Sequence, residues 1–427
     1  MTESLVVLLR DAQAGILTRL QGGRLRFDYD ATYRSRPHAT PLSVSMPIQI
    51  RSHSDQAINP WLWNLLPDND AVLARWARQF QASVTSPFSL LATPVGRDCA
   101  GAVRFIPQDI LDQETDRPGS ITWLTNGEIA ERLRELQTDS TAWLGNSFTG
   151  QFSLSGAQAK TALLHVDGRW GVPHGSVATT HILKPAVAGL DDHDLNEHLC
   201  LDAARRAGLL AARTRVSRFD DQTAIVVERY DREHVKDTII RIHQEDLCQA
   251  LGLPPTKKYQ NEGGPGPTRI AELFRKVMPP GDAEAAVMGF FNALVWKWLI
   301  GGTDAHAKNY SILLSGDQVR LAPLYDVASA LPYGTDERKL RFAMKIGGDY
   351  RVFTYYNTWI KAAQGMDIDP DWAINRVRKL NSLVADSFAQ AANEPDITVL
   401  GRDLPGRLVD IIAERARRCK RLLDPGR

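Results

Sequence analysis

"IGGTDAHAKNYSILL", residues 300–314, sets four polar residues, Asp304, His306, Lys308 and Asn309, between an apolar helix-like run and an apolar strand-like run. A chain reversal needs only one or two such residues. The stretch leads into a hairpin pattern, "YSILL", a turn at "SGDQ" and "VRLAPL", after which "LYDVA" brings Asp326. An antiparallel hairpin returns its last residues beside its first. Asp326 is therefore expected near Asn309, so that two carboxylates and one amide converge.

Phosphoryl transfer uses that set: one carboxylate accepts the proton of the attacking hydroxyl, while an Asn and an Asp hold magnesium on the phosphates. Asp304-x-x-x-x-Asn309, with Asp326 after a hairpin, has the order of a kinase catalytic loop. A lone D-x-x-x-x-N is also what a capped polar turn looks like; the hairpin-placed Asp326 tips the reading. Lys308 either neutralises phosphate charge or is simply solvated. His306 reads as a hydrogen-bonding partner rather than a metal ligand, because no second histidine stands at ligand spacing.

A nucleotide-binding half is expected upstream. "FSLSGAQAKTALL", residues 152–164, puts one glycine and small residues between two strand-like runs, where backbone N–H groups can cradle phosphates. A tight hairpin explains it equally well. G-x4-G-K-[ST] is absent, which argues against a P-loop NTPase. Lys184, in the strand-like "HILKP", suits a lysine paired with the α and β phosphates, and Glu197 on the next helix could orient it; solvated surface charges are the other reading of both. "VVERYD", residues 226–231, ends an apolar strand where a hinge would bind adenine through the backbone of Glu228, Arg229 and Tyr230, or where a strand merely stops.

The composition belongs to an ordinary soluble globular chain: 427 residues, 43% hydrophobic, 24% charged, net charge +1. Near neutrality argues against a nonspecific polyanion binder. Four cysteines without a CxxC pair (Cys99, Cys200, Cys248 and Cys419) read as buried thiols of a cytoplasmic protein. "MTESLVVLLRD" reads as a strand, not a signal peptide, and "AAVMGFFNALVWKWLIGG", broken by Asn292 and Lys297, reads as a buried helix, so no membrane is expected.

Short strands fill residues 1 to about 50 ("LVVLL", "GILTRL", "RLRFDYD"), and "NPWLWNLLPDNDAVLARWARQFQ" reads as a helix starting at Asn59-Pro60. "GRDCAGAVRFIP" returns to a strand before a connector at about 108–120. A strand, a glycine turn, a strand and a hairpin at Asp167-Gly168 follow, then two strands around Asp220-Asp221. "DLNEHLCLDAARRAGL" is a helix closed by Gly208. Beyond about 240 the chain reads as mostly helical apart from the opening stretch, and the ten tryptophans read as core.

Taken together, "NLLPDND", "SLLATPVGRDCAGAVRF", "SLSGAQAKTALL", "HILKP", "NEHLCLDAARRAGL", "VVERYDR", "IHQEDLCQALG", "KYQNEGGPG", "GGTDAHAKNYSILL" and "LAPLYDVASA" resemble the HipA family of serine/threonine-protein kinase toxins over nearly the whole chain. The resemblance implies an α+β, protein-kinase-like bilobal fold with an added β-rich subdomain at 1–110, a nucleotide-binding lobe at 111–230, and a helical C-terminal lobe at 231–427 carrying the catalytic loop. It implies ATP and Mg2+ as cofactors, Asp304 as the catalytic residue, and Asn309 and Asp326 as metal ligands. The nucleotide would be held by Ser155, Gly156, Ala157, Gln158, Lys160, Lys184, Glu228, Arg229, Tyr230, His306 and Lys308.

Ser153 matches the serine that such kinases autophosphorylate. The loop departs from the family's usual form in carrying a second serine, Ser155, as another candidate. The implied partners are a small HipB-like helix-turn-helix antitoxin, operator DNA through that complex, and an aminoacyl-tRNA synthetase as substrate, glutamyl-tRNA synthetase first, whose modification arrests growth. The basic helical stretches "NRVRKLN" and "RARRCKRLL" are solvated faces or contacts to DNA backbone. A kinase acting on a small molecule and a silent DNA-binding co-repressor are the alternatives. The second would be marked by loss of Asp304, Asn309 or Asp326, and all three are present.

Overall fold

Glu3–Leu9 sends Leu5, Val7 and Leu9 into one apolar core and Val6 and Leu8, with Ile106, into another, the period of two of a strand buried on both faces. The computed structural model describes residues 3–116, 119–145, 150–187, 189–236, 238–334 and 336–424. The architecture is α+β, as expected, and the chain divides into two compact units. The first comprises Met1–Pro185, Arg218–Pro255 and Ile312–Val319; the second comprises Ala186–Ser217, Thr256–Ser311 and Arg320–Arg427.

The first unit is built on sheets. One is antiparallel, in the order Ser52–Ser54, Leu25–Tyr29, Ala12–Arg19, Glu3–Leu9, Val103–Pro107. Another carries, side by side, Gln222–Glu228, His181–Lys184, Thr161–Val166, Arg169–His174 and Ser120–Leu124. Its Asp167-Gly168 turn has φ of 50° and 72°, the double positive value of a type I′ hairpin, as the Asp-Gly pair predicts.

The single helix expected over the "NPWLWNLL" stretch is two. The first, Asp55–Leu65, begins before Asn59-Pro60 and keeps Pro60 inside it. Pro67 then forces Leu66 into an extended conformation (φ −89°, ψ 159°), which ends that helix, and Asn69 caps the second, Asp70–Gln79. The turn between them, Leu66 to Asn69, lies against the loop at 153–156, as described below.

The second unit is mainly helical: His193–Arg206, Pro267–Val277, Pro280–Ile300, Tyr356–Gly365, Pro370–Ala392 and Leu404–Leu422 are its longest helices. Gly208 takes φ 83° just past the first of these, as a helix-ending glycine should. Pro280–Ile300 is apolar all round because its surroundings are: Phe290, Phe291, Trp296 and Trp298 are fully buried, and Trp298 packs edge-on against Trp359. Among the described residues this is the one helix long and apolar enough to cross a membrane, and 72% of its apolar window is buried inside the structure. The expectation of an otherwise helical C-terminal half needs correction. Arg341–Ile346 and Asp349–Arg351 form a hairpin about Gly347-Gly348, both at positive φ, and Thr238–Arg241 and His243–Asp246 are also strands. All four cysteines are buried, and none is in a disulfide.

Candidate active site

Within the second unit, the helix Pro280–Ile300 ends at Gly301 in the left-handed conformation, and the chain enters the loop that carries Asp304. The Asp304 carboxylate is largely exposed and accepts a hydrogen bond from the Tyr259 hydroxyl at 3.0 Å. His306 Nε2 lies 3.8 Å from the same carboxylate oxygen, and the buried His306 ring packs edge-on against Tyr259. A short turn, Ala307–Asn309, follows and buries Lys308 and Asn309. Asn309 donates from its amide nitrogen to the carbonyl of Asp304, so its amide oxygen is the end left to accept or to ligate.

The hairpin returns as the sequence predicts. Ala322 N–H bonds to the carbonyl of Ser311 at 2.9 Å, and three residues further from that pair along each segment the Tyr325 hydroxyl reaches the carbonyl of Lys308 at 2.6 Å. Asp326 comes next, with φ 56°. The left-handed region costs a non-glycine residue about 1–2 kcal/mol, although Asp tolerates it better than most. Asp326 is held there from both sides. Leu324 is bonded to Leu210 and Ala212, while Ser329 exchanges hydrogen bonds with Asn196 and donates from its hydroxyl to Ile300.

Lys297, one turn before the end of the apolar helix and almost fully buried, donates from Nζ to the carbonyl of Asp326 at 3.1 Å. Burial pulls its pKa below the usual lysine value, and the nearby charges of Asp304 and Asp326 act in the opposite sense. Asp304, Asn309, Asp326 and Lys308 are thus all on one unit, on two segments joined by a hairpin. Among the described residues no three His, Cys, Asp or Glu side chains gather into a metal site. One carboxylate and one amide oxygen nevertheless suit magnesium, which keeps few protein ligands and takes the rest from phosphates and water. A cavity of about 630 Å³ opens beside Asp304, lined among others by Tyr259, Thr303, Phe342, Arg341 and Arg351.

The first unit holds the other expected residues. The stretch Phe152 to Ser155 is not the regular strand expected; it makes one isolated parallel bridge, Ser153 with Cys99. Ser153 is completely buried, its hydroxyl donating to the carbonyl of Leu65 at 2.8 Å, whereas Ser155 is half-buried. The two serines therefore differ in environment, although alternation along a strand would have put them on one face. Gly156 has φ 99°, its carbonyl accepts from Asp68 N–H at 3.0 Å, and a Cβ there would come 2.9 Å from Lys160 Nζ. Lys160 is buried, bonded at 2.7 Å to the carbonyl of Ser155 and lying over the Trp143 ring at 4.5 Å. Ala157 is exposed and Gln158 half-buried. The turn of "NLLPDND" thus seats this loop, through Leu65 and Asp68.

Lys184 is buried at the end of its strand, paired in register with Ile225. Glu197 is buried in the second unit and adds its charge to those around Lys297. Of the three residues expected at an adenine-binding crossing, Glu228 is exposed and Tyr230 bonds through its hydroxyl to Gln244. Arg229 has its N–H bonded to Thr180 and its guanidinium buried against Asp231, Thr179 and the carbonyl of Cys99. Asp98 sits at the centre of that network. Burial alone would raise its pKa, but Arg232, Arg229 and Arg241 overcome burial and hold it well below the usual carboxylate range.

Lys297 and Tyr259, at the Asp304 loop, carried no role in the sequence analysis, and neither did Asp98, Thr179, Arg232 or Arg241. Lys297 left a signal, a lone lysine in an apolar helix, that was read only as evidence against a membrane span. Tyr259 left none beyond its place in "KYQNEGGPG".

An α+β chain with a kinase-type Asp-x4-Asn loop after a buried helix, and an aspartate returned by a hairpin, defines a class: proteins with a protein-kinase-like fold. Two family models match this chain, the HipA N-terminal domain over residues 5–106 and the HipA-like C-terminal domain over residues 152–391. The chain belongs to the HipA family. It is 34% identical over 410 residues to Y4mE of Sinorhizobium fredii, provisionally named a kinase, covering 94% of this chain and 95% of that one. It is 27% identical over 367 residues to the serine/threonine-protein kinase toxin HipA of Shewanella oneidensis, covering 82% and 80% of the two. Among solved structures, HipA from the Shewanella oneidensis complex of HipA, HipB and operator DNA superposes with a TM-score of 0.82 at 23% identity, over 97% of each chain.

Proposed function

We propose that the protein is an ATP- and Mg2+-dependent serine/threonine protein kinase that acts as the toxin of a toxin–antitoxin pair. The observation that carries the reading is the Asp304 loop: an exposed carboxylate oriented by Tyr259, with Asn309 tied to its backbone and Asp326 brought back by the hairpin. In this reading the loop from Ser153 to Lys160 and Lys184 hold the phosphates of ATP, with Lys308 adding positive charge and His306 fixing the loop. The segment Glu228 to Tyr230 receives the adenine.

Magnesium, bound by Asp326 and Asn309 together with the phosphates, supplies charge neutralisation at the transferring phosphoryl group. Asp304 takes the proton of the acceptor hydroxyl as its oxygen bonds to the γ-phosphorus, and the bond from that phosphorus to the ADP oxygen breaks. A positioned base of this kind is worth roughly 10²- to 10⁴-fold in rate.

The substrate we propose is an aminoacyl-tRNA synthetase, glutamyl-tRNA synthetase first, with Ser153 or Ser155 as the site of autophosphorylation. The relative solved with HipB and operator DNA supports a helix-turn-helix antitoxin as partner, with operator DNA reached through it. The 630 Å³ cavity beside Asp304 favours a second reading, a small-molecule acceptor, since pockets of about 300–1,000 Å³ suit such ligands. Incubating the protein with labelled ATP, Mg2+ and a protein extract separates the two. Label on protein is expected, and label confined to small molecules would reject the protein-kinase reading.

A further inference from the structure

Lys297 is the group the proposed mechanism leaves unused. It is a lysine 3% exposed, in the last turn of the apolar helix that leads into the loop carrying the chemistry. Such a charge is retained at a cost unless it is paired and bonded. Its bond is to a main-chain carbonyl, that of Asp326 at 3.1 Å, and Asp326 is the residue of this segment in the left-handed conformation. The charges that act on it come from Asp304, Asp326 and Glu197. The packing round its stem is equally specific. Gly302 N–H bonds to the Lys297 carbonyl at 2.8 Å, and a Cβ on Gly302 would lie 2.9 Å from the Lys297 Cδ. The glycine just before the catalytic loop therefore leaves room for the lysine's path to Asp326.

We infer that Lys297 is a positioning residue: by bonding the carbonyl of Asp326 it holds Asp326 in the conformation that presents its carboxylate to magnesium. Asn309 and Asp326 reach the site from segments on either side of the hairpin, and Lys297 ties the second segment to the helix leading into the first at Asp326 itself, as the Ser329 hydroxyl does three residues on through Ile300. The inference rests on the proposed role of Asp326 as a metal ligand.

Lys297→Met keeps the length and removes donor and charge. The relief of no longer burying an ammonium group offsets the loss of its bond to the Asp326 carbonyl. Melting of the ligand-free variant is therefore expected to stay near that of the wild type. Titration of Mg2+ into each protein with ATP, followed by the melting shift, should place the variant's midpoint about tenfold higher. Lys297→Arg, which keeps a charged donor, should recover most of that loss. A residue that only supports the fold would move the ligand-free melting and leave the Mg2+ midpoint alone. Equal midpoints for wild type and Lys297→Met would overturn the inference. Should that variant not fold, Lys297→Leu, which also lacks donor and charge, supplies the same comparison, and a midpoint equal to wild type overturns it likewise. If the wild type itself shows no Mg2+-dependent shift with ATP, the reading of Asp326 as a metal ligand falls first.

Discussion

Asp304 is exposed, makes its side-chain hydrogen bond to Tyr259, and leaves its carbonyl to Asn309. A nearly isosteric Asp304→Asn should therefore fold normally. It should bind nucleotide and magnesium as before yet lose phosphoryl transfer by roughly 10²- to 10⁴-fold, the worth of a positioned base. Transfer rate and growth arrest on expression are the readouts, and wild-type toxicity in the variant would remove Asp304 from the mechanism. At this scale the geometry of the candidate site was readable, because Asp304-x4-Asn309 is a local spacing and the hairpin that returns Asp326 is a local pattern. Lys297 and Tyr259 were not. Their parts depend on side chains meeting across turns that spacing does not specify, and a lysine in an apolar run has no sequence mark that tells a positioning role from a break in a helix.

The loop from Ser153 to Lys160 shows what local pattern can and cannot say about an element. The glycine at 156 announced a turn, and the structure gives it φ 99°. The strand expected on its N-terminal side is replaced by tertiary bonds. Ser153 and Gly156 bond to Leu65 and Asp68, residues far upstream that no periodicity links to them. The helix expected in "NPWLWNLLPDND" was divided for a readable reason, since Pro67 excludes its predecessor from the helix. The hairpin at Gly347-Gly348 was missed, although two glycines between apolar-rich runs marked it.

A prediction belongs to this element. A phosphate on Ser153 carries about −1.5 to −2 charge, while the Ser153 hydroxyl is fully buried and bonded to the Leu65 carbonyl, an acceptor that a phosphate ester no longer satisfies. Modification should unseat the loop and weaken ATP binding, with Ser153→Asp imitating part of the loss. Mass spectrometry after incubation with ATP, beside ATP affinities of the modified and unmodified forms, checks this. Phosphorylated protein that binds ATP as tightly as the unmodified form would contradict it.

At the scale of the whole molecule, the sequence supported a two- or three-part α+β chain, but not the way the units are assembled from separate stretches. The first takes segments as far apart as Met1–Pro185 and Ile312–Val319. Composition records how many residues are apolar, not which distant segments share a core. The buried charge network makes the same point: Asp98, Thr179, Arg229, Arg232 and Arg241 come from three regions of the chain, and no local spacing links them. Asp98→Asn would leave three guanidiniums buried around a neutral amide. Removing one side of a buried ion pair costs on the order of 3–5 kcal/mol, so a large fall in melting temperature is expected, and an unchanged one would show the network to be solvated in solution.

The central claim, that this chain transfers the γ-phosphoryl group of ATP to protein serine or threonine, has one direct test. The purified protein is incubated with Mg2+, γ-labelled ATP and each aminoacyl-tRNA synthetase in turn, beside the Asp304→Asn variant, and the labelled proteins are mapped by mass spectrometry. The account predicts phosphoserine or phosphothreonine on a synthetase, glutamyl-tRNA synthetase first, with wild type and none with the variant. Wild-type protein that binds ATP and Mg2+ yet labels neither a synthetase, nor itself, nor any other protein would contradict it.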